Sequence, residues 1–225
     1  MKTFPLAFAG AILAISVSTT WAAGIAVSTG TSAPPSKLGA YMLSEFSFGY
    51  DDPRTGFVSD VPSPLGGSVV FGSPLEILKI GVEWESWSHG FDGDVYAVDL
   101  AILNPNGQYE VSLDLPPQTG AFVFYAEPAF DGLFTISARL DDGTSLSQEI
   151  EGFSGATGFG FLAPLGSALS SITVLSEIPN VDFAIGEFRI SGTLPPVPES
   201  ATTLAGWLAV TLAAGSVARR FVRSR

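Results

Sequence analysis

The chain contains no cysteine and a single histidine, and these two absences exclude several kinds of chemistry. Without cysteine there is no disulfide framework, no thiolate zinc site and no cysteine nucleophile. A Ser-His-Asp triad would have to use His89, and no Gly-x-Ser-x-Gly turn is present to supply its serine. A metal site built from several histidines is impossible. The sequence therefore predicts a protein that is not an enzyme.

Basic residues are also scarce. Ten lysines and arginines stand against 22 aspartates and glutamates, which gives a formal net charge of -12. Phosphate backbones are bound by clustered Lys and Arg, so this charge balance argues against a nucleic-acid partner.

The N-terminus has the order of parts of a secretory signal peptide. Lys2 supplies a positive charge, Phe4 to Val17 form an apolar stretch too short to span a bilayer comfortably, and small residues follow. We predict a signal peptide over residues 1–23 and a linker over 24–37.

The C-terminus has three parts in a fixed order. A Pro-rich linker over 193–200 precedes an 18-residue apolar run over 201–218, predicted as a transmembrane helix, and a basic cytoplasmic tail over 219–225. Prolines keep the approach to the membrane extended, and this leaves the peptide bonds near Glu199 accessible. The arginines that would stop translocation are Arg219, Arg220, Arg223 and Arg225.

This order resembles the PEP-CTERM sorting tail, with Val197, Pro198, Glu199 and Ser200 at the sorting motif. Ser200 stands where the family usually has a second proline. The resemblance implies recognition by exosortase, a membrane cysteine transpeptidase, followed by transfer to the cell surface or extracellular matrix of a Gram-negative-type bacterium. It also implies a transient membrane anchor before processing.

Between residues 38 and 192 apolar and polar residues alternate, and Gly, Pro, Asn and Asp interrupt the pattern every eight to twelve residues or so. We predict an all-β domain over this range, a two-sheet antiparallel sandwich that is jelly-roll-like. Two hairpins are expected, one around the turn at 104–107 and one around 141–143. Pro116-Pro117 is interpreted as a turn between two strands.

Three segments, 87–96, 119–128 and 183–188, resemble β domains that recur in PEP-CTERM proteins of unknown activity. This second resemblance implies a secreted sandwich and brings no catalytic residues with it.

Two candidate sites lie in this domain. Trp84, Trp87 and Tyr96 could form an aromatic platform for glycans. Asp92 and Asp94 are a candidate calcium site, although turn-capping by Asp explains them equally well. Calcium would be the only cofactor.

Paired carboxylates could also hydrolyse a glycosidic bond, and Glu83 and Glu85 are expected to lie on one strand face. A secreted hydrolase would need carboxylates or His89 gathered in one cleft, and a carbohydrate-binding module would need exposed Trp rings. The leading hypothesis is an exported, exosortase-processed, non-enzymatic surface or matrix protein. Its partners would be exosortase transiently and then exopolysaccharide, biofilm or envelope glycans.

Overall fold

The computed structural model describes residues 23–47, 56–98, 104–152 and 155–194. Residues 1–22 of the predicted signal peptide lie outside these ranges, as do the sorting motif, the apolar run and the basic tail. The described strands are β1 Ile25–Gly30, β2 Lys37–Leu38, β3 Tyr41–Met42, β4 Ser44–Glu45, β5 Gly56–Pro62, β6 Ser68–Lys79, β7 Asp94–Ala97, β8 Glu110–Pro128, β9 Leu133–Leu140, β10 Ser145–Glu151, β11 Thr157–Leu162, β12 Leu169–Ser176 and β13 Phe183–Gly192. A short 3-10 turn covers Ser88–Gly90.

Eleven of these strands form one antiparallel sheet that folds over on itself, and β2 pairs with β3 separately. The long strand β8 belongs to both layers. Its first half pairs with β12 and contacts β6, whereas its second half lies between β11 and β13. The all-β, antiparallel, sandwich-like architecture predicted from the alternating pattern is confirmed. The jelly-roll connectivity stays a prediction.

The two prolines predicted to make a turn lie inside β8 instead. Pro116 and Pro117 fall within the strand, and Gln118 has a φ of 65° in the left-handed region. The partner of β8 changes at this point, since Asp114 pairs with Ser171 and Thr119 with Leu169 across a register shift. Proline cannot donate to a neighbouring strand, so it is tolerated where the strand bends from one layer to the other.

The main core lies between the two layers and is strongly aromatic. Phe124 stacks on Phe159 with ring centroids 5.1 Å apart and planes 5° from parallel. Phe188 stacks on Tyr96 at 5.5 Å and also contacts Phe122. These rings are buried completely or almost so. Burial of such large apolar areas is the main favourable term in folding.

Of the two predicted hairpins, one is confirmed. Strands β9 and β10 pair directly, with Arg139 opposite Ser145, around the turn that contains Gly143. The other hairpin stays a prediction, because residues 99–103 of its first arm lie outside the described ranges. The turn at 104–107 does form, and Tyr96 in β7, further from the turn, pairs with Ile77 and Ile185.

The predicted linker over 24–37 was also wrong in part, because β1 begins at Ile25. This strand pairs with β11 along its length, with Ile25 opposite Leu162. Its side chains are only partly buried, so the alternation that marks a strand is weak there. The folded domain therefore starts about a dozen residues earlier than expected.

Candidate functional site

A second apolar cluster covers the outer face of the sheet, and we call it the outer cluster. Alternate residues of β8 point to opposite faces, so Phe122 and Phe124 enter the main core while Val123 and Tyr125 point outward. The cover comes from two segments of irregular chain, one around Tyr41 and one, residues 80–93, that carries two tryptophans. The outer cluster consists of Leu38, Tyr41, Leu43, Trp84, Trp87, Val95, Ala97, Ala121, Val123, Tyr125, Ala156, Leu162 and Ala184.

Glu127 continues the outward-facing row of β8 and is buried beside this cluster with 1% of its surface exposed. Trp84 Nε1 donates to one carboxylate oxygen at 2.8 Å, and Ser86 Oγ donates to the other at 2.7 Å. Among the described residues, no lysine, arginine or histidine forms an ion pair with it. Burial therefore raises the pKa of Glu127 to about 7, although both hydrogen bonds act to lower it.

Glu187 on β13 contacts two further side chains of the segment 80–93. Trp87 Nε1 donates to it at 2.7 Å, and His89 Nε2 contacts its other oxygen at 2.8 Å. Burial raises the pKa of this carboxyl, and the bonds from His89 and Trp87 partly offset the rise. Both His89 and Glu187 have positive φ angles, 47° and 51°, which is costly for residues other than glycine. The contact is therefore held by the surrounding fold.

Ser88 lies beside His89, and the hydrolase hypothesis depends on whether this serine could act as a nucleophile. Ser88 Oγ lies 3.0 Å from His89 Nδ1, and the same nitrogen lies 3.2 Å from the Thr31 carbonyl oxygen. The two ring nitrogens therefore face acceptors on both sides, the Thr31 carbonyl and the Glu187 carboxylate. Ser88 is only 5% exposed, so a substrate has little access to its hydroxyl. These contacts hold the loop in place. They do not provide the solvent-accessible nucleophile that a Ser-His-Asp triad requires.

An open cleft of about 510 Å³ lies beside Glu127. Its wall contains Glu83 and Glu85, which were expected on a strand face. Strand β6 in fact ends at Lys79, and Gly81 has a φ of 76° in the turn that follows, so both glutamates lie in the loop. The lining residues are Leu78, Val82, Glu83, Trp84, Glu85, Ser86, Glu127, Pro128, Ala129, Asp131, Gly152 and Asp182.

The aromatic residues predicted to bind glycans do not form an exposed platform. Trp84 and Trp87 are 8% and 9% exposed, and their N–H groups are used by the two glutamates. Tyr96 is 1% exposed in the main core. Aromatic rings on a sheet with two covered faces are needed for packing, which explains the difference.

The candidate calcium residues do not gather into a site. Asp94 pairs with Lys79 at the start of β7, and Asp92 is exposed in the preceding loop. The described ranges contain no group of three or more His, Cys, Asp or Glu side chains that could hold a metal ion. Asp142 acts as a turn cap, because it accepts hydrogen bonds from the backbone N–H groups of Gly24 and Thr144.

The sorting tail, which carried the functional hypothesis, falls outside the described residues. Within the described ranges, no helix is long and apolar enough to cross a membrane. The predicted helix over 201–218 and the motif at Pro198 and Glu199 therefore stay predictions.

Comparison with known protein families and with curated proteins finds no match for this chain. Among solved structures, the chain is similar to TmCBM61, whose structure was solved in complex with β-1,4-galactotriose. The TM-score is 0.35 at 16% sequence identity, over 52% of this chain and 81% of that chain. This similarity does not establish a shared fold, and no ligand is assigned to the present chain from it.

Sequence reasoning missed the two buried glutamates. A signal for Glu127 was available, since it directly follows Ala121 to Ala126, an unbroken apolar run. Such a run indicates a strand covered on both faces, and a carboxylate at its end must then find donors. For Glu187 the local pattern is ordinary, and only the tertiary contact with Trp87 and His89 marks it.

Proposed function

We propose that this chain is an exported, exosortase-processed, non-enzymatic protein that displays a ligand-binding β-sandwich at the cell surface or in the matrix of a Gram-negative-type bacterium. The order of the tail supports this proposal: the motif at Pro198 and Glu199, the apolar run and the terminal arginines. The single structural observation that carries it is the placement of the cleft at the end of β13 opposite Gly192.

The C-terminal end of β13 and the cleft lie at opposite ends of the strands. Ser191, near the end of β13, is in one row with Ala121, Leu162 and Ile25 across four paired strands. The chain continues from this end towards the sorting motif. The cleft lies at the other end of β13, where Asp182 precedes the strand. Ten residues of strand span about 30 Å at about 3.3 Å per residue.

This separation suits a protein that is held at one end. A domain attached through its C-terminal segment would present the cleft about 30 Å beyond Gly192, where β13 ends. Ligands in the surrounding matrix could then reach the cleft without passing between the domain and the envelope.

A carbohydrate-binding role is the second candidate, and the cleft itself favours it. Its walls combine carboxylates with apolar surfaces such as Pro128 and Val82. Small-molecule sites commonly have volumes of about 300 to 1,000 Å³ and a few polar groups that fix orientation. The candidate glycan-binding surface is therefore this cleft and not the exposed tryptophan platform predicted from the sequence.

The intact mass of the protein tests the sorting proposal. The protein would be recovered from surface and membrane fractions of its native host, with and without the exosortase gene. We expect a new C-terminus near residues 198–200 that appears only when exosortase is present. A variant with Pro198→Ala and Glu199→Gln should stay unprocessed, whereas Thr202→Ala, in the apolar run, should be cleaved normally. Retention of Arg225 in both strains would show an ordinary anchor and overturn the proposal.

A further inference from the structure

Among the described residues, the walls of the cleft carry charge of one sign only. Five of the twelve described lining residues are carboxylates, and neither lysine nor arginine is among the twelve. Glu85 and Asp131 are exposed on these walls. A cleft with walls of low dielectric and one sign of charge concentrates ligands of the opposite charge, and the net charge of -12 over the chain acts in the same direction.

Three exposed apolar residues belong to the cleft lining or are adjacent to lining residues, and we call them the apolar rim. Val82 lines the cleft and is 71% exposed. Phe130 lies between two lining residues and is 52% exposed. Leu133, 66% exposed, pairs with the residue that precedes the lining Gly152. Large apolar side chains exposed next to a cleft are a common feature of a binding surface.

The base of the cleft is polar and firmly held. Glu127 is fixed there by Trp84 and Ser86, and the same loop continues back to Glu83 on the wall. A wall fixed by directional hydrogen bonds is preorganised, so a ligand need not order it on binding. The structure thus combines a charged wall, an apolar rim and a fixed base.

We propose that this cleft binds oligosaccharides that carry protonated amines, with the amines on the wall carboxylates and a sugar face against Phe130. The inference rests on the proposed function and names the ligand class of its cleft. Amino sugars combine a cation, hydroxyl donors and an apolar ring face, so they match all three features. Acidic sugars would be repelled by Glu83, Glu85 and Asp131. Neutral sugars could donate hydroxyl hydrogen bonds to these carboxylates but would form no ion pair with them.

Calorimetry with the purified protein tests this inference at about pH 6. The probes are a tetramer of β-1,4-linked glucosamine, the corresponding N-acetylated tetramer and pentalysine. We expect the amine-bearing tetramer to bind about tenfold more tightly than the acetylated tetramer, since one charge-assisted hydrogen bond contributes roughly this much. Added salt should weaken the binding.

Matched variants locate the site. Glu85→Gln should weaken binding about tenfold by removing one charge. Glu149→Gln removes another exposed carboxylate, from β10, and should change nothing. Phe130→Ala should also weaken binding of the tetramer, whereas Leu165→Ala, 56% exposed near the opposite end, should not.

Three results would overturn the inference. Equal binding of both tetramers would show that charge does not select the ligand. Pentalysine that binds more tightly than the sugar, without any effect of Phe130→Ala, would show a basic polypeptide as the partner. Failure of all three probes would remove the cleft as a site. None of these results alters the intact-mass test, so the sorting proposal stands or fails separately.

Discussion

The buried carboxyl of Glu127 makes the stability of this protein depend on pH in a direction that can be worked out. Its pKa rises from the ordinary 4.5 to about 7 in the folded state. Below pH 4.5 the group is protonated in both folded and unfolded chains. Between this value and about pH 7 only the folded chain keeps the proton, so the free energy of unfolding falls as pH rises.

The size of this effect follows from the same two values. A rise from 4.5 to about 7 corresponds to a loss of about 3 kcal/mol, at about 1.4 kcal/mol for each pH unit. Glu187 contributes in the same direction, because burial raises its pKa as well. Asp142 affects the pH dependence in the opposite direction. Its pKa is lowered in the folded state, so its ionised form stabilises the folded chain, and this stabilisation is lost as pH falls through the lowered pKa.

The variant Glu127→Gln removes the titration and keeps the shape of the side chain. The amide oxygen can accept from Trp84, and the amide nitrogen can donate to the Ser86 hydroxyl, so both contacts can be kept. We expect the variant to lie within about 1 kcal/mol of the wild type near pH 5 and to be about 3 kcal/mol more stable near pH 8. The two stability curves should therefore separate as pH rises.

Urea denaturation followed by tryptophan fluorescence at several pH values measures both curves. Glu149→Gln, which removes an exposed carboxylate, serves as the control and should follow the wild type. If Glu127→Gln and the wild type lose stability in parallel between about pH 5 and pH 8, then Glu127 is ionised throughout. That result would refute the argument from desolvation.

Three further predictions concern the fold. Trp84→Phe removes one donor to Glu127, so it should destabilise the protein by about 1–3 kcal/mol and move the pH transition in the urea series upward. Gly120→Ala should cost about 1–3 kcal/mol or more in the same assay, because its new Cβ would lie 2.5 Å from a backbone oxygen; an unchanged urea midpoint would contradict this. Phe124→Ala removes a ring stacked on Phe159 and should cost about 3–5 kcal/mol. A loss below about 1 kcal/mol would show that the core collapses around the missing ring.

The sequence predicted the strands better than it predicted their partners. Alternation is local, so β9 and β10 could be placed around Gly143 and their pairing followed from the short turn. Pairing between strands that are far apart in sequence leaves no local sequence pattern. Tyr96 pairs with Ile77 and Ile185, and neither partner could be inferred from the neighbouring residues alone. Register in such cases is set by the packing of the whole sheet.

The candidate site shows the same limit. Trp84 and Trp87 were recognised as notable, but their exposure depends on what covers the sheet, and that is a tertiary property. Period-two alternation from Ile80 to Trp84 indicated a strand, whereas Gly81 turns the chain there. As a result, Glu83 and Glu85 lie on the wall of a cleft instead of a solvated strand face.

The two buried glutamates join the stability of the domain to the shape of its cleft. Apolar contacts alone would hold the segment 80–93 on the outer face without fixing its position, because dispersion and hydrophobic contacts are not directional. Hydrogen bonds from Trp84 and Ser86 to Glu127 fix one part of the segment, and those from Trp87 and His89 to Glu187 fix the next.

The residues fixed in this way are adjacent to Glu83 and Glu85, which form the wall. Ionisation of Glu127 near pH 7 therefore weakens the fold at the same place where the wall is attached. Opening of this segment should become more frequent as pH rises, whereas strands β9 and β10, which take no part in these contacts, should keep their protection. Hydrogen exchange at about pH 6 and pH 8, corrected for the intrinsic rates, measures both regions in one experiment. Equal changes in the two regions would show that the pH effect is global and that the glutamates do not control the wall of the cleft.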